Sequence, residues 1–465
     1  MSTFKVWTLG AAVVALGIVA VTGYLLLQPP GDLISNAGFS ISTISPNADG
    51  VDDVTVFSYT VARSAEVTLV FTHENGQRYV FRENEARARG DYSVAFSGVV
   101  DGYTLPDETI DGVVERRLLP NGRYTWSLEA RGEDGEKATA TGTFEIVDAD
   151  ANLPLISSFE VSPTTFTPNQ DGVRDRVRVN VFLEKASDLS VYLEDNKGVQ
   201  RYLSERLQGR EPGDEGNHEF DYDGGVDDGY EPPADGEYTL YAVAQDAVGQ
   251  RIVRSNSMTI EQGGLPLAEI QPQALGIQVC FTTLKWQDSY YTDNLTVGDL
   301  IQKPEWNCSN QSTVTLEQGD LLVFHLTVKN VGGTPIRTFG PFPGTAYEFT
   351  QRSSTLGYLE PAGTFRVGID CDSALSDYPW RWAIAPQDEL TEVFDAISND
   401  TFYYLQPDQS AEVWGAIRMT EVYEAQNPQN CWAGLIHEKV GIDPFQNRVG
   451  AREVEIVPPA GQRAE

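Results

Sequence analysis

Apolar residues recur at every second position along much of this chain. Phe57, Tyr59 and Val61 form one such set, and Val67, Leu69 and Phe71 another. Later come Val179, Val181 and Leu183, then Leu189, Val191 and Leu193, and later still Leu322, Phe324, Leu326 and Val328. Their neighbours are mostly polar. A period of two is the signature of strands with one buried face, so the pattern predicts an all-β protein. Gly76 and Gly198 follow Asn75 and Lys197, where they predict tight hairpin turns.

The first four sets are two copies of one pattern. Phe57 corresponds to Val179, Leu69 to Val191 and Gly76 to Gly198, all at one offset. The offset shortens after an insertion around Leu105–Glu115 in the first copy. It then holds again from Pro120-Asn121-Gly122-Arg123-Tyr124-Thr125 against Ala234-Asp235-Gly236-Glu237-Tyr238-Thr239. Each copy has about seven strands in roughly 110 residues, the size of an immunoglobulin-like sandwich. The expected organisation is repeat 1 over 35–148, repeat 2 over 156–262, a third β-sandwich domain over 267–458 and a disordered tail, 459–465. The linkers Asp148–Pro154 and Gln262–Pro266 are short and end in proline, which predicts a semi-rigid rod.

Both repeats open with one acidic loop, P-N-x-D-G-V-x-D: Pro46–Asp53 and Pro168–Asp175. The glycine permits a sharp turn that brings Asn47, Asp49 and Asp53, and equally Asn169, Asp171 and Asp175, toward one point. Oxygen ligands on a tight turn suit Ca2+, which takes six to eight oxygens. The first site is expected to be the tighter, because Arg174 stands where the first loop has Asp52. The alternative is a plain turn in which Asx side chains cap their own backbone. A second acidic set, Asp101, Asp221, Asp223, Asp227 and Asp228, reads as solvated loop.

These elements resemble the bacterial immunoglobulin-like repeats of the flagellar hook-capping protein and of gliding-motility-associated C-terminal domains. The resemblance rests on Ile44-Ser45-Pro46-Asn47-Ala48-Asp49-Gly50 and Phe166-Thr167-Pro168-Asn169-Gln170-Asp171-Gly172, on the hairpins that follow, and on the G-x-Y-T elements. The W-D-G element of such repeats is degenerate here, as Phe96-Ser97-Gly98 and Tyr222-Asp223-Gly224. The resemblance covers Ser35–Gln262 and implies a fold, not a role. In the third domain, Thr327-Val328-Lys329-Asn330-Val331-Gly332-Gly333 and Leu405–Val413 resemble cell-adhesion-related β-sandwiches of prokaryotic surface proteins.

Val6–Leu27 carries no charge, and about 20 apolar residues span a bilayer. The run lacks an A-x-A-like cleavage site, which predicts an uncleaved transmembrane signal anchor over 6–28 behind a cytoplasmic stub, 1–5. Lys5 on the near side and Asp32 on the far side orient the bulk of the chain outside the cytoplasm, as a single-pass protein of the cell membrane. A cleaved signal peptide is the alternative. Gly10 and Gly17 would share a helix face.

Cys280, Cys308, Cys371 and Cys431 all lie in the third domain. An even number outside the cytoplasm implies two disulfides. Proximity favours Cys280–Cys308 and Cys371–Cys431 among three possible connectivities. No spacing matches a zinc motif. The third domain also holds six of the eight tryptophans. Trp380 and Trp382 flank Arg381 and share one strand face, so both are core or both are exposed as a binding patch.

A formal net charge of −35 argues against nucleic acid as a partner. No G-x-S-x-G, H-E-x-x-H, Walker or G-x-G-x-x-G motif is present, and His73, His218, His325 and His437 are scattered, so no enzyme activity is expected. The sequence reads as tandem immunoglobulin-like sandwiches behind one transmembrane helix: a membrane-anchored stalk displaying a distal domain to an envelope protein or glycan. Two alternatives stand beside it, an accessory subunit capping a membrane complex and an envelope hydrolase with its site in the third domain.

Overall fold

A computed structural model describes residues 14–19, 32–106, 108–207, 209, 211–273, 276–305 and 313–459. The expected anchor and the tail lie mostly outside them. Residues 14–19 are helical and exposed. Among the described residues no helix is long and apolar enough to cross a membrane.

The first unit contains β1 (Ile34–Phe39), β2 (Thr43–Ile44), β3 (Thr55–Val61), β4 (Ala65–His73), β5 (Arg78–Arg87), β6 (Gly90–Phe96), β7 (Val99–Asp101), β8 (Val113–Leu118), β9 (Gly122–Gly132) and β10 (Lys137–Ile146). One sheet is β1-β3-β6; the facing sheet is β2-β10-β9-β4-β5, with β2 parallel to β10. The alternation predicted the buried faces: Phe57 and Val61 of β3 are fully buried, as is Phe71 of β4. The core is aromatic. Phe39 packs on Phe57 with ring centroids 4.8 Å apart, and Phe71 on Phe96 at 4.9 Å.

The second unit contains β11 (Ile156–Ser162), β12 (Thr165–Phe166), β13 (Val177–Leu183), β14 (Asp188–Glu194), β15 (Gln200–Tyr202), β16 (Gly216–Tyr222), β17 (Gly236–Gln245) and β18 (Arg251–Ile260). Its sheets, β11-β13-β16 and β12-β18-β17-β14-β15, repeat the first framework strand for strand. The core is aliphatic, with Val177, Val179, Val181, Leu183, Leu193 and Leu240 fully buried. In both units a tyrosine near the start of the strand after the long crossover bonds backward to the backbone, as in the tyrosine corner of such sandwiches. The Tyr124 hydroxyl donates to the Pro120 carbonyl at 2.6 Å, and Tyr238 to that of Ala234 at 2.7 Å.

The third unit contains β19 (Ala268–Ile270), β20 (Val279–Leu284), β21 (Thr313–Glu317), β22 (Leu321–Asn330), β23 (Ile336–Arg337), β24 (Ala346–Glu348), β25 (Phe365–Cys371), β26 (Trp380–Ala383), β27 (Thr391–Asp395), β28 (Asp400–Leu405), β29 (Ser410–Arg418), β30 (Gln429–His437), β31 (Gly441–Ile442) and β32 (Val449–Val457). Its sheets are β20-β22-β29 and β21-β32-β30-β25-β26, with β21 parallel to β32. This is the same framework a third time, decorated by β19 and β24 and by a β23-β28-β27 sheet. The alternation along β22 predicts one buried face, but both faces are covered. Leu322, Phe324 and Leu326 enter the main core, while Leu321 and Val323 meet Ile301, Ala346 and Ala416 in a smaller cluster that Trp286 adjoins. Cys371 and Cys431 stand opposite each other on β25 and β30 and form a disulfide. Cys280 is also disulfide-bonded; Cys308 lies outside the described residues.

Candidate functional site

The two acidic loops fold alike and are used differently. Ala48, Gly50 and Asp52 in the first, and Gln170, Gly172 and Arg174 in the second, all take positive φ. In each, the first Asx residue accepts the amide two positions on: Asp49 N–H to Asn47 at 3.0 Å, Asp171 N–H to Asn169 at 3.1 Å. The last Asp closes the turn. Asp53 accepts the amides of Asn47, Ala48 and Gly50 at 2.7–3.0 Å. Burial pushes its carboxyl up, but the three amides outweigh that and hold it below the ordinary carboxylate range. Asp175 accepts the amides of Asp171 and Gly172.

This is the capped-turn geometry that the sequence offered beside the calcium reading. Asn47 and Asp49 each turn one side-chain oxygen, and Asp53 both, onto backbone N–H donors of their own loop. Among the described residues, no three His, Cys, Asp or Glu side chains could together hold a metal ion. Asp221, Asp223 and Asp227 of the second acidic set converge on a cation of the chain itself, Arg176.

The first loop faces solvent, while the second is a joint between repeat 2 and the third unit. Asn169 is fully buried and Asp171 nearly so. The Tyr404 hydroxyl on β28 donates to Asp171 Oδ2 at 2.9 Å, and His437 Nε2 at the end of β30 meets the Gln170 carbonyl at 2.8 Å. A carbonyl only accepts, so His437 carries its proton on Nε2. Arg174 pairs with Asp395 on β27 at 3.5 Å. Arg337, also buried, donates to the Ala362 carbonyl at 2.6 Å. A Cβ on Gly172 would lie 2.1 Å from that carbonyl, so the glycine serves the docking as well as the turn. On Gly50 a Cβ would meet nothing within 4 Å. Asn330, fully buried, donates to the Thr334 and Leu405 carbonyls, and Thr334 in turn donates to Gln262 in the linker at 2.8 Å.

Burial sets the charge states at this joint. It raises Asp171, which Tyr404 partly offsets, and raises Asp175 to about 7 with help from the adjacent Asp171. It lowers His437 to about 4 against the opposing pull of the Gln170 and Gly363 backbone bonds. The imidazole is neutral at pH 7.

The first joint is built by the insertion. Strands β7 and β8 leave repeat 1 and add to the sheet of repeat 2, where β8 pairs antiparallel with β18. Arg251 bonds Glu115 and Arg254 bonds Asp111, both at 2.7 Å. Gln250 is fully buried beneath the linker. Its amide donates to the Asp150 and Asn152 carbonyls at 3.1 and 2.8 Å and accepts the Leu118 N–H at 3.3 Å. Lys185 adds bonds to Asn152 and Asp246 at 2.8 and 2.6 Å. Nothing in the sequence marked Gln250, Tyr404 or His437 for these roles.

The expected Trp380-Arg381-Trp382 patch is corrected. Both tryptophans do share a face, and that face is the core, with each ring fully buried. Trp382 packs on Phe324 at 4.6 Å and donates its Nε1 to the Thr345 carbonyl. A Trp ring buries about 150–250 Å2. At about 25 cal/mol per Å2 that is roughly 4–6 kcal/mol per ring before entropy, too much to leave in water. Arg381 points the other way and pairs with Glu438 at 2.7 Å. Trp432 and Tyr378 are buried, and Trp306 lies outside the described residues.

No protein-family profile and no curated protein matches this chain. Among solved structures it is similar to a Ca2+-stabilized adhesin that helps an Antarctic bacterium reach out and bind ice, at 12% identity, over 92% of this chain and 74% of that one, with a TM-score of 0.21. A 1.5-MDa bacterial ice-binding adhesin matches at 10% identity over 93% and 99%, TM-score 0.19. A two-domain fibronectin type-III segment of chicken tenascin matches at 12% over 49% and 99%, TM-score 0.16. TM-scores this low carry no argument; the immunoglobulin-like class rests on the strand order and the tyrosine corners.

Proposed function

We propose that this chain is a structural and interaction protein of the cell envelope: a rigid spacer of three sandwiches, anchored through residues 6–28, that holds the far end of its third unit toward an envelope protein or glycan. The observation that carries this reading is that both junctions are built from paired strands and buried polar side chains, not from free linker. A tether that only needed reach would leave its linkers solvated. The uncharged run Val6–Leu27 supports the anchor, and the Cys371–Cys431 disulfide supports an oxidising compartment. Leu295 and Val297 of the third unit are 90% and 88% exposed, and they support a contact there.

The test is a distance distribution between spin labels on Glu66 and Glu453, one in each terminal sandwich. A single narrow distribution is expected in the full chain, broadened when residues 102–116, which include the part of β8 paired with β18, are cut to a short turn. A broad distribution in the unaltered chain rejects the spacer. Protease protection in intact cells, with the sandwiches digested only from outside, tests the topology. Co-purification with a membrane complex in mild detergent would favour the accessory-subunit reading instead.

A further inference from the structure

The first half of β18 in repeat 2 is covered by β8, delivered from the preceding repeat. Among the described residues, the matching edge of repeat 1, the outer side of β10, has no such cover. On that side β10 pairs with β2 only at Glu145 and Ile146; among the described residues no strand pairs with Lys137–Phe144 there. The direction of its backbone groups is fixed. The Glu145 N–H donates outward to the Ser42 carbonyl, and the register against β9 runs without a bulge from Lys137 to Ile146. N–H and C=O groups alternate sides along a strand, so those of Lys137, Thr139, Thr141 and Thr143 also point outward.

Natural edge strands are ordinarily blunted by charge, proline or bulges. The opposite edge of this sheet, β5, follows that rule: it reads Arg78-Tyr-Val-Phe-Arg-Glu-Asn-Glu-Ala-Arg87, with register shifts against β4 and Asn84 at φ 49°. Ala138-Thr-Ala-Thr-Gly-Thr143 has none of these devices. Gly142 lies beneath the Trp126 ring, where a Cβ would sit 2.4 Å from the indole, so even this glycine leaves the strand regular.

We propose that this edge is a self-association surface, on which the β10 strands of two copies of this chain pair antiparallel about a two-fold axis into one continuous sheet. The second copy is the occupant because the edge is its own complement. Centred on Ala140, Thr139 faces Thr141 of the other copy and Lys137 faces Thr143, so outward N–H and C=O groups meet in hydrogen-bonded pairs and no like charges oppose. In a chain of net charge −35, six uncharged residues on an open edge form the segment where two copies approach with least repulsion. The remaining charge still repels, so pairing strengthens as salt screens it.

Sedimentation of the full chain in mild detergent tests this. A monomer–dimer equilibrium is expected, with the dimer fraction rising several-fold from 20 to about 300 mM salt as the Debye length falls below about 10 Å. Thr141→Pro removes only an outward N–H and should abolish the dimer while leaving the melting temperature within a few degrees. Thr139→Glu, which sets a carboxylate on the shared edge, should do the same without touching the backbone. A chain monomeric at every salt and concentration overturns the proposal, as does a dimer that survives both variants, which would place association in the anchor or another face.

Discussion

The hydroxyl of Tyr404 and the carboxylate of Asp171 meet at 2.9 Å, 233 residues apart in the chain. Asp171 already accepts the Val173 amide within its own turn, so one side chain closes a loop in repeat 2 and fastens that loop to the third unit. Tyr404→Phe keeps the ring and removes the donor. A buried carboxylate losing one partner costs on the order of 1–3 kcal/mol. Calorimetry should show the third unit and repeat 2 unfolding less cooperatively; an unchanged single transition would count against a joint role for this pair.

The two loop glycines offer an internally controlled comparison. Gly50 and Gly172 have φ of 88° and 79°, so alanine strains both turns by about 1–2 kcal/mol. Only at Gly172 would the added Cβ also strike the Ala362 carbonyl. Gly172→Ala should therefore lower the melting temperature more than Gly50→Ala. Equal effects would mean that the second loop does not dock in solution.

The joint between repeat 2 and the third unit makes a definite statement about pH. Asp175 is raised to about 7, so its contribution to stability is full below its ordinary value and is lost as pH rises through 7. His437 is depressed to about 4, so its contribution is full above its ordinary value and is lost as pH falls through 4. Asp171 acts in the same direction as Asp175, and Arg337, Arg174 and Asp395 complete the charges around them. Between about pH 4 and 6.5 His437 offsets Asp175, and the remaining dependence follows Asp171, toward greater stability in acid. His437→Gln should add a slope of up to about 1.4 kcal/mol per pH unit toward greater stability in acid, and Asp175→Asn should change the slope by as much in the reverse direction. Denaturant midpoints across this range provide the readout.

Gln250→Ala should loosen the first joint. Three backbone groups, the carbonyls of Asp150 and Asn152 and the amide of Leu118, lose a buried partner. A loss of about 1–3 kcal/mol is expected, with faster hydrogen exchange at residues 113–118 and 148–153. An exchange pattern unaltered in both segments would contradict the role assigned to Gln250.

Calcium should leave the melting temperature unchanged to within about 1 °C when chelator is replaced by millimolar Ca2+. A ligand present at 100 times its Kd would add about 2.7 kcal/mol. Asn47, Asp49 and Asp53 each turn a side-chain oxygen onto backbone amides of their own loop, so the turn is closed without an ion. A shift of several degrees would restore the cation reading of the loop.

Much of this molecule is legible residue by residue. The period of two placed Phe57, Val61, Val179 and Val181 in cores, and the P-N-x-D-G-V-x-D spacing specified a turn that both copies make with the same signs of φ. G-x-Y-T held the tyrosine corners in plain view, though as a mark of duplication and not as a hydrogen bond. These are local properties: strand pleat, backbone stereochemistry, and a side chain reaching its own near neighbours.

What the sequence could not determine was whom each surface meets. Two loops of one pattern became a solvent-exposed turn and a buried joint, because only the second has Tyr404, His437 and Ala362 placed against it by strands far along the chain. The insertion around Leu105–Glu115 read as an irregularity of repeat 1, and the tertiary structure made its end the start of β8, a strand added to the sheet of repeat 2. Trp380 and Trp382 were bound to share a face, but which medium that face met depended on β22, β24 and the rest of the sandwich. Alternation and turn chemistry act over a few bonds and so are written in order along the chain. Pairing between distant edges depends on the position of every element between them, and only the folded chain decides it.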